Sequence, residues 1–396
     1  MNSCCNEFNG MTNSKTLLLV FSDDWGRHPS SCQHLIKRLL DRYDVVWVNT
    51  IGTRALRLNW VTIRRAFEKT VSWIIASTEK ESILDVSNHR NPKVLNPKML
   101  PSFGGKTRRR INKSLLVKQI IPELEKHDGP VIGITTVPYV SDLIGELPVD
   151  RWVYYCVDDW SCWPEMDAKP LRDMESELIE KCDAIICVSR ALQSRIAQQT
   201  GRTSMLLQHG FDEQFLRRPR SKRLLKQYPG RKILYWGLID QRLDHEIVTA
   251  CAKAFPKDSF VFVGPLANPS PELFLPKNVF SHGVVEYNQL PALAMESSVL
   301  IMPYADTEVT RQIQPLKMLE YLAVEKPIIA RNLPSTSEWA DCLDVADSPE
   351  EFVTLLKQRL VKGSTSAQRR ARKRVEEHSW ENKAGEFEKM FLGDVS

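Results

Sequence analysis

Short runs of apolar, largely β-branched residues alternate with segments of helical periodicity along all 396 residues. This alternation is typical of β-α units that build a parallel sheet. In the first half of the chain the predicted strands are residues 16–22, 44–50, 130–136, 151–157, 184–189 and 204–210. In the second half they are residues 232–237, 259–265, 278–283, 299–304 and 327–330.

Most of these runs are apolar at consecutive positions, as in strands covered on both faces. A chain of this length exceeds one ordinary core, so we predict an α/β fold with two doubly wound, Rossmann-like parallel sheets. The basic, Pro-containing stretch 215–230 is the predicted linker between domains at 15–214 and 231–378. Residues 1–14 are predicted as a disordered leader, and two helical segments, roughly 348–376 and 380–392, are predicted to end the chain.

Composition narrows the class of protein without naming a chemistry. The chain is 42% hydrophobic and 26% charged with a net charge of +5, which fits a folded protein that handles anionic ligands and does not by itself indicate nucleic acid. Its nine cysteines lie mostly as single residues and show no metal-ligand spacing, which predicts reduced thiols, a cytoplasmic location and no metal site. No apolar run reaches the roughly 20 residues of a membrane span.

The segment QIQPLKMLEYLAVEKPIIA, residues 312–330, combines features of an anion site. Pro315 suits the first position of a helix, so the amides of Leu316 and Lys317 would be free to bind a diphosphate. Glu320, one turn further on, could accept both hydroxyls of a ribose attached to that diphosphate. The alternative is a partly exposed glutamate neutralised by Lys317 at i−3.

Three other segments contain polar or basic residues that could have either a functional or a structural role. Asp23 follows the first strand and could contact a substrate or act as a base, although Ser30 or Ser31 as a helix cap would explain much of the local polarity. Residues 54–75 and the basic stretch 104–120 could lie at a membrane interface, or pack on the first sheet with a solvated basic face. Neither a complete P-loop nor a GxGxxG motif is present, which argues against nucleotide hydrolysis and nicotinamide binding.

Several motifs in the same order resemble one enzyme family. QPLKMLEYLAVEKPIIA, preceded by ILYWGLIDQRLD, FVFVGP, NVFSHGVVEYNQLP and PYADTEVTRQIQ, is similar to the donor-binding half of GT-B glycosyltransferases in the family 4-like (group 1) branch of bacterial polysaccharide and glycolipid enzymes. The upstream YYCVDDWSCW, AIICVSRAL and LLQHGFDEQF resemble the end of the acceptor half. The resemblance covers most of residues 15–390.

The resemblance implies a donor site in the second domain. Glu320 matches the glutamate that holds the nucleotide ribose, whereas its partner eight residues upstream, which contacts the donor sugar, is replaced by Gln312. Gly237 and Arg242 match the glycine that admits the diphosphate and the basic residue that neutralises it; a surface arginine paired with Asp240 or Asp244 is the alternative. Glu325 replaces the glycine that often ends this helix in the family.

The resemblance further implies that the first domain binds a glycan or lipid-linked acceptor. Asp158 and Asp159 would either contact an acceptor hydroxyl or act as a structural cap. No general base is assigned. The segment 379–396 would cross back to the first domain, and transfer would retain the anomeric configuration without a metal cofactor. A peripheral position on the inner face of the cell membrane would suit such an acceptor. Two alternatives stay open: a GT-B nucleotide-sugar epimerase, and a catalytically silent glycan- or partner-binding protein.

Overall fold

The computed structural model describes residues 15–26, 30–50, 91–100, 103–159, 168–217, 219 and 223–393. Its contacts divide the chain into two compact units, one formed by residues 1–207 and 384–396 and the other by residues 208–383. The predicted leader 1–14 and the predicted basic helix 54–75 lie outside the described residues.

The first unit is built on a seven-stranded parallel sheet in the order β3-β2-β1-β4-β5-β6-β7. The strands are β1 Leu17–Ser22, β2 Asp44–Asn49, β3 Lys93–Leu95, β4 Val131–Thr135, β5 Arg151–Cys156, β6 Ala184–Cys187 and β7 Met205–Leu206. The helices are α1 Ser31–Leu39, α2 Lys106–Leu124, α3 Ala168–Lys181 and α4 Arg190–Thr200, and a 3-10 turn spans Pro138–Asp142. Every residue of β1, β4 and β6 is buried, as their continuous apolar runs predicted.

The second unit repeats this plan with a six-stranded parallel sheet in the order β12-β10-β8-β13-β14-β15 and a small two-stranded sheet, β11-β9. Its strands are β8 Lys232–Trp236, β9 Ile239–Asp240, β10 Ser259–Val263, β11 Leu266–Ala267, β12 Val279–Gly283, β13 Val299–Met302, β14 Ile328–Arg331 and β15 Asp344–Ala346. Its helices are α5 His245–Ala254, α6 Leu290–Glu296, α7 Glu308–Gln312, α8 Lys317–Ala323, α9 Pro334–Ser337, α10 Pro349–Lys362 and α11 Ser366–Ala371. Short 3-10 segments lie at Glu213–Leu216, Pro271–Phe274, Tyr287–Gln289 and Arg372–His378.

The last helix, α12 Trp380–Leu392, is shared between the two units along its length. From Ala384 onward it belongs to the first unit, where Phe387 packs on Tyr155 with ring centroids 5.2 Å apart. Phe391 packs on Tyr43 at 5.6 Å, and the Tyr43 hydroxyl donates to Glu388 at 2.7 Å. The C-terminal segment therefore fastens to the first sheet through aromatic contacts.

The prediction of two doubly wound parallel sheets is confirmed, while several details differ. The sequence patterns missed four short strands, β3, β9, β11 and β15, because two or three residues carry no periodicity. The single helix predicted at 348–376 is wrong: Gly363, at φ +66°, ends α10, and Thr365 caps a new helix. In the stretch predicted as a linker, Phe215 and Leu225 are buried in the core of the second unit.

Helix α8 ends without a glycine cap. Val324 is extended and terminates the helix. The buried guanidinium of Arg372 donates to the carbonyl oxygens of Val324 at 3.3 Å, Lys326 at 2.7 Å and Cys342 at 2.8 Å. Burial lowers the pKa of Arg372 to about 10. Arg372 therefore links the turn that follows α8 to the segment that precedes β15.

Candidate functional site

The strand order of the second unit fixes where a ligand would bind. Strand β8 lies between β10 and β13. On one side the sheet continues from β10 to β12, and on the other side it continues from β13 to β14 and β15, so the strand order reverses at β8. In open α/β sheets this reversal opens a crevice beyond the carboxyl ends of the strands. Residues 237–242 follow β8 and residues 303–317 follow β13, so Gly237, Arg242, Gln312 and Lys317 come from the two segments that border it.

Two glycines bring the backbone close together at this edge. Gly237 follows β8 at φ +128° and Gly264 follows β10 at φ +139°. A β-carbon at position 264 would lie 2.0 Å from the Gly237 carbonyl oxygen, and one at position 237 would lie 2.1 Å from Lys317 Nζ. Position 264 requires glycine, because the φ angle and the Gly237 backbone exclude a side chain; at position 237 the φ angle also favours glycine, and the adjacent atoms are the movable end of the Lys317 side chain.

Lys317 is the first residue of α8 and reaches back to the end of β8. Its Nζ donates to the Tyr235 hydroxyl at 2.6 Å, and that hydroxyl donates to the Leu238 carbonyl at 2.8 Å. The same Nζ lies 4.0 Å from the centroid of the Tyr235 ring and 5.5 Å from that of Tyr304, a cation-π arrangement. Burial lowers the pKa of Lys317, and the nearby Arg242 cation lowers it further.

Arg242 forms an ion pair with Asp240, two residues earlier. Its Nε donates to both Asp240 oxygens, at 3.0 and 2.9 Å, and its NH2 lies 2.8 Å from Oδ2. Asp244 caps α5 instead, by accepting from the amides of Glu246 and Ile247. Although burial opposes it, the Asp240 partner raises the pKa of Arg242. The alternative reading was thus correct about the partner, but Arg242 is mostly buried, with 21% of its side chain exposed.

Glu320, one turn into α8, is 8% exposed. Its Oε2 accepts from the Trp236 indole at 2.9 Å and its Oε1 from the Tyr287 hydroxyl at 2.7 Å. Burial raises the pKa of Glu320, while these two hydrogen bonds lower it in part. The alternative of a partly exposed glutamate is therefore wrong, because Glu320 is buried and accepts hydrogen bonds from two neutral aromatic side chains.

The start of α8 differs from the prediction. Pro315 was expected to be the first helical residue, but the helix begins at Lys317 and Leu316 is its N-cap. The Met318 amide donates to the Pro315 carbonyl at 3.0 Å, so the proline belongs to the turn that leads into the helix. Since α8 has only seven residues, the cationic side chains, rather than the helix dipole, are the main attraction for an anion here.

Gln312 is the last residue of α7 and is half-buried, eight residues before Glu320. Thr307 caps that helix through a reciprocal pair of hydrogen bonds with Thr310. The position ends a short, well-capped helix next to the α8 turn. The structure places Gln312 in the expected segment.

In the first unit, Asp23 follows β1 and lies where that sheet also reverses direction, between β1 and β4. It accepts from Ser22 at 2.9 Å, from Ser30 at 2.8 Å and from Gln33, and burial raises its pKa despite these bonds. Ser30 also caps α1, as the structural alternative proposed. The carboxylate is therefore built into the loop that connects β1 to α1.

Asp158 and Asp159 follow β5. Asp159 is 7% exposed and lies 3.4 Å from Nε of Arg195, which also binds the buried Glu175 at 2.8 Å. This buried ionic group explains Asp159 as a structural residue. Among the residues that the structure describes, no cluster of three or more His, Cys, Asp or Glu could hold a metal ion.

Solved structures decide the fold. Sucrose-phosphate synthase from Thermosynechococcus elongatus superposes with a TM-score of 0.70 at 14% identity, over 96% of this chain and 100% of that one. HepE from Anabaena, solved with UDP and glucose, gives a TM-score of 0.67 at 13% identity with the same coverage. Trehalose-phosphate synthase from Burkholderia xenovorans, solved with glucose-6-phosphate, gives 0.62 at 12%. The chain has the GT-B fold.

Comparisons of sequence add a relative for this GT-B chain. A Bacillus subtilis (strain 168) protein with a provisional assignment as the teichuronic acid biosynthesis glycosyltransferase TuaH is 27% identical over 213 residues. The match covers 48% of this chain and 52% of the relative. The chain therefore spans about half the length of that curated relative. No protein-family model matches.

Sequence reasoning missed the aromatic partners of the site in this GT-B chain. Trp236 precedes Gly237 in β8, and Tyr287 lies in a turn after β12; both bind Glu320. Tyr235 and Tyr304 surround the Lys317 ammonium. For Trp236 the sequence offered one signal, because a large aromatic residue directly before Gly237 must pack either in the core or against the Glu320 carboxylate. Tyr287 offered none.

Proposed function

We propose that this chain is a glycosyltransferase that moves a sugar from a nucleotide-sugar donor to a hydroxyl of a glycan or lipid-linked acceptor. The observation that carries the proposal is the meeting of Lys317, Arg242 and Glu320 at the point where the second sheet reverses direction. The GT-B fold and the TuaH relative support the reaction class. UDP in the HepE complexes supports a uridine diphosphate donor as the first to test.

The cations of the site suit a diphosphate. Lys317 and Arg242 bring two cations, and Asp240 is the carboxylate paired with Arg242. Glu320 is a second carboxylate near Lys317, so the formal charges balance, and the cations would act on a ligand through their position in a partly buried place where electrostatic interactions are stronger than in water. Such cations stabilise the negative charge that develops on a departing nucleoside diphosphate, so the reaction we propose needs no metal.

Glu320 suits the ribose. A carboxylate has about four acceptor positions, and Trp236 and Tyr287 each occupy one. Two positions are then left, which equals the number of free hydroxyls, 2′ and 3′, on the ribose of a nucleoside diphosphate. A buried carboxylate with a raised pKa is also more common at functional sites than elsewhere.

The acceptor would bind the first unit, where Asp23 follows β1 and Asp158 follows β5, two strands that flank β4 in the parallel sheet. The resemblance to the family 4-like branch supports retention of anomeric configuration, and the name of the TuaH relative supports a role in cell-surface polysaccharide synthesis. A cytoplasmic enzyme in peripheral contact with an anionic membrane fits such an acceptor. In the described residues, no helix has the length and apolar content to cross a membrane.

The direct test is a thermal-shift panel with UDP-, GDP-, ADP- and TDP-sugars on the wild type and on Glu320→Ala. We expect one nucleotide class to raise the wild-type melting temperature and to raise that of Glu320→Ala much less. Glu338→Ala is the control, because this glutamate accepts hydrogen bonds from the Gln208 side chain in the same unit and does not contact Glu320 in the part of the chain that the structure describes. An equal response of wild type and Glu320→Ala would overturn the ribose assignment.

Gln312 favours one competing function, a silent binding protein, because glutamine cannot carry the charge that the family's glutamate provides. A product assay separates the possibilities. A transferase releases nucleoside diphosphate only with an acceptor present, an epimerase interconverts the sugar without one, and a silent protein does neither. The absence of a response to every nucleotide sugar would favour the silent protein.

A further inference from the structure

Two aromatic side chains fix the carboxylate of Glu320, one on each oxygen. The Trp236 indole donates to Oε2 at 2.9 Å and the Tyr287 hydroxyl donates to Oε1 at 2.7 Å. Opposed donors of this kind set the rotation of a carboxylate about its last bond, because turning it would break both hydrogen bonds.

Trp236 is the rigid member of this pair. It is 3% exposed and ends β8, and its backbone amide donates to the Tyr321 hydroxyl at 3.0 Å. Its ring lies 4.2 Å from that of Tyr321 and stacks with Phe215 at 6.1 Å. The indole N–H is therefore held in place by packing on both sides.

Tyr287 is the more accessible member. It is half-buried, in the turn Tyr287–Gln289, and its ring meets the edge of Phe215 at 5.6 Å and 70°. Removing its hydroxyl alone would keep this packing, so the hydrogen bond to Glu320 can be tested without disturbing the core.

We propose that Trp236 and Tyr287 are positioning residues that aim the two remaining acceptor positions of Glu320 at the 2′- and 3′-hydroxyls, which makes the chain selective for ribonucleotide over 2′-deoxyribonucleotide donors. This rests on the proposed function. A carboxylate aimed at two hydroxyls loses a charge-assisted hydrogen bond when one is absent, and such a bond corresponds to about tenfold or more in affinity.

The same arrangement gives a pH signature. The charged or titratable groups around Glu320 are Lys317, Asp212, Tyr287 and Tyr321. Burial and Asp212 raise the pKa of Glu320, while the bonds from Tyr287 and Trp236 and the charge of Lys317 lower it. Without the Tyr287 hydroxyl the carboxylate takes up its proton at a higher pH, so nucleotide affinity should start to fall at a higher pH on acidification.

The experiment is a calorimetric titration of wild type and Tyr287→Phe with UDP and with 2′-deoxy-UDP between about pH 5 and 8. If the sugar panel selects guanine or adenine, the matching diphosphate pair replaces UDP, whereas selection of TDP, a 2′-deoxynucleotide, overturns the selectivity. Tyr228→Phe is the matched control, because its hydroxyl is bound to His282 at 3.0 Å in the same unit. Both nucleotides carry the same phosphates, so the ionisation of the ligand cancels from the comparison.

We expect the wild type and Tyr228→Phe to favour UDP by about tenfold or more, and Tyr287→Phe to lose at least about threefold of that preference with an upward shift in its acid midpoint. If no nucleoside diphosphate binds the wild type, the proposed function fails and this inference with it. If the wild type prefers UDP but Tyr287→Phe keeps the same ratio and the same midpoint, only the positioning role is overturned. A wild type that binds both nucleotides equally overturns the selectivity.

Discussion

The ammonium nitrogen of Lys317 occupies the space in which a side chain at Gly237 would begin, only 2.1 Å from an ideal β-carbon there. The two residues lie 80 positions apart and come from the two segments that border the sheet reversal. The missing β-carbon is thus what lets a cation lie at the end of β8, and the geometry of the proposed diphosphate site depends on this pair.

Replacing Gly237 with alanine should displace the lysine and impair donor binding. The new methyl group would meet Nζ at 2.1 Å and Cε at 2.6 Å, so the lysine must leave its position against Tyr235. We expect the affinity for UDP to fall by about tenfold or more, as after loss of one charged contact. Titration calorimetry measures this change.

Gly363→Ala is the control for backbone strain. Gly363 also has a positive φ, +66°, but a β-carbon there has no atom within 4 Å. Both variants should lose some stability, since a positive φ is unfavourable for alanine, and only Gly237→Ala should lose UDP. Equal UDP affinity in wild type and Gly237→Ala would show that the position of Lys317 does not matter for the ligand.

Replacing Lys317 with methionine should separate stability from binding. Burial lowers the pKa of this lysine below its ordinary value of 10.5. Between the lowered pKa and 10.5 the unfolded chain therefore holds more protons than the folded one, and wild-type stability rises with pH in that window. Lys317→Met lacks this rise. Its unliganded melting temperature at pH 7 should equal or exceed that of the wild type, with a smaller response to nucleotide.

Lys326→Met is the control for Lys317→Met, because the lysine that it replaces has a purely structural role. Lys326 donates to the carbonyls of Met295 at 2.8 Å and Ser297 at 2.7 Å. Its loss leaves those acceptors unsatisfied, so the melting temperature should fall while the nucleotide response stays. A large loss of stability in Lys317→Met, matching that of Lys326→Met, would show that Lys317 stabilises the fold instead of serving nucleotide binding.

The sequence was informative where a pattern is local. Continuous apolar runs predicted both sheets, and the local sequence around Glu320 and Lys317 indicated an anion site, whereas Gly237 and Arg242 were indicated only by the resemblance to GT-B glycosyltransferases. The carboxylate's partners were hidden, because Trp236 and Tyr287 lie 84 and 33 positions from Glu320 and only the sheet order brings them together. The Asp240 partner of Arg242 was suggested, since two residues along a loop can share a turn. Burial could not be inferred from an amphipathic pattern.

Arg372 should be among the most important single residues for the stability of the second unit. Its guanidinium donates to two carbonyl oxygens in the turn after α8 and to the Cys342 carbonyl oxygen before β15. We expect Arg372→Met to lower the free energy of unfolding by about 3 kcal/mol, because it leaves buried acceptors without donors. Denaturant titration followed by tryptophan fluorescence measures the change.

Arg311→Ala provides the comparison for that measurement, since Arg311 is exposed and pairs with Asp306 on the surface. Its stability should match the wild type closely. If Arg372→Met unfolds at the same denaturant concentration as Arg311→Ala, the stabilising role of Arg372 is refuted.

The most direct measurement of the central claim is a crystal structure with the nucleoside diphosphate selected by the sugar panel. The account predicts both ribose hydroxyls within about 3 Å of the Glu320 oxygens and phosphate oxygens at hydrogen-bond distance from Arg242 and Lys317. The Trp236 and Tyr287 bonds to Glu320 should be intact in that complex. A nucleotide bound elsewhere, with Glu320 contacting only its two aromatic partners, would contradict the account.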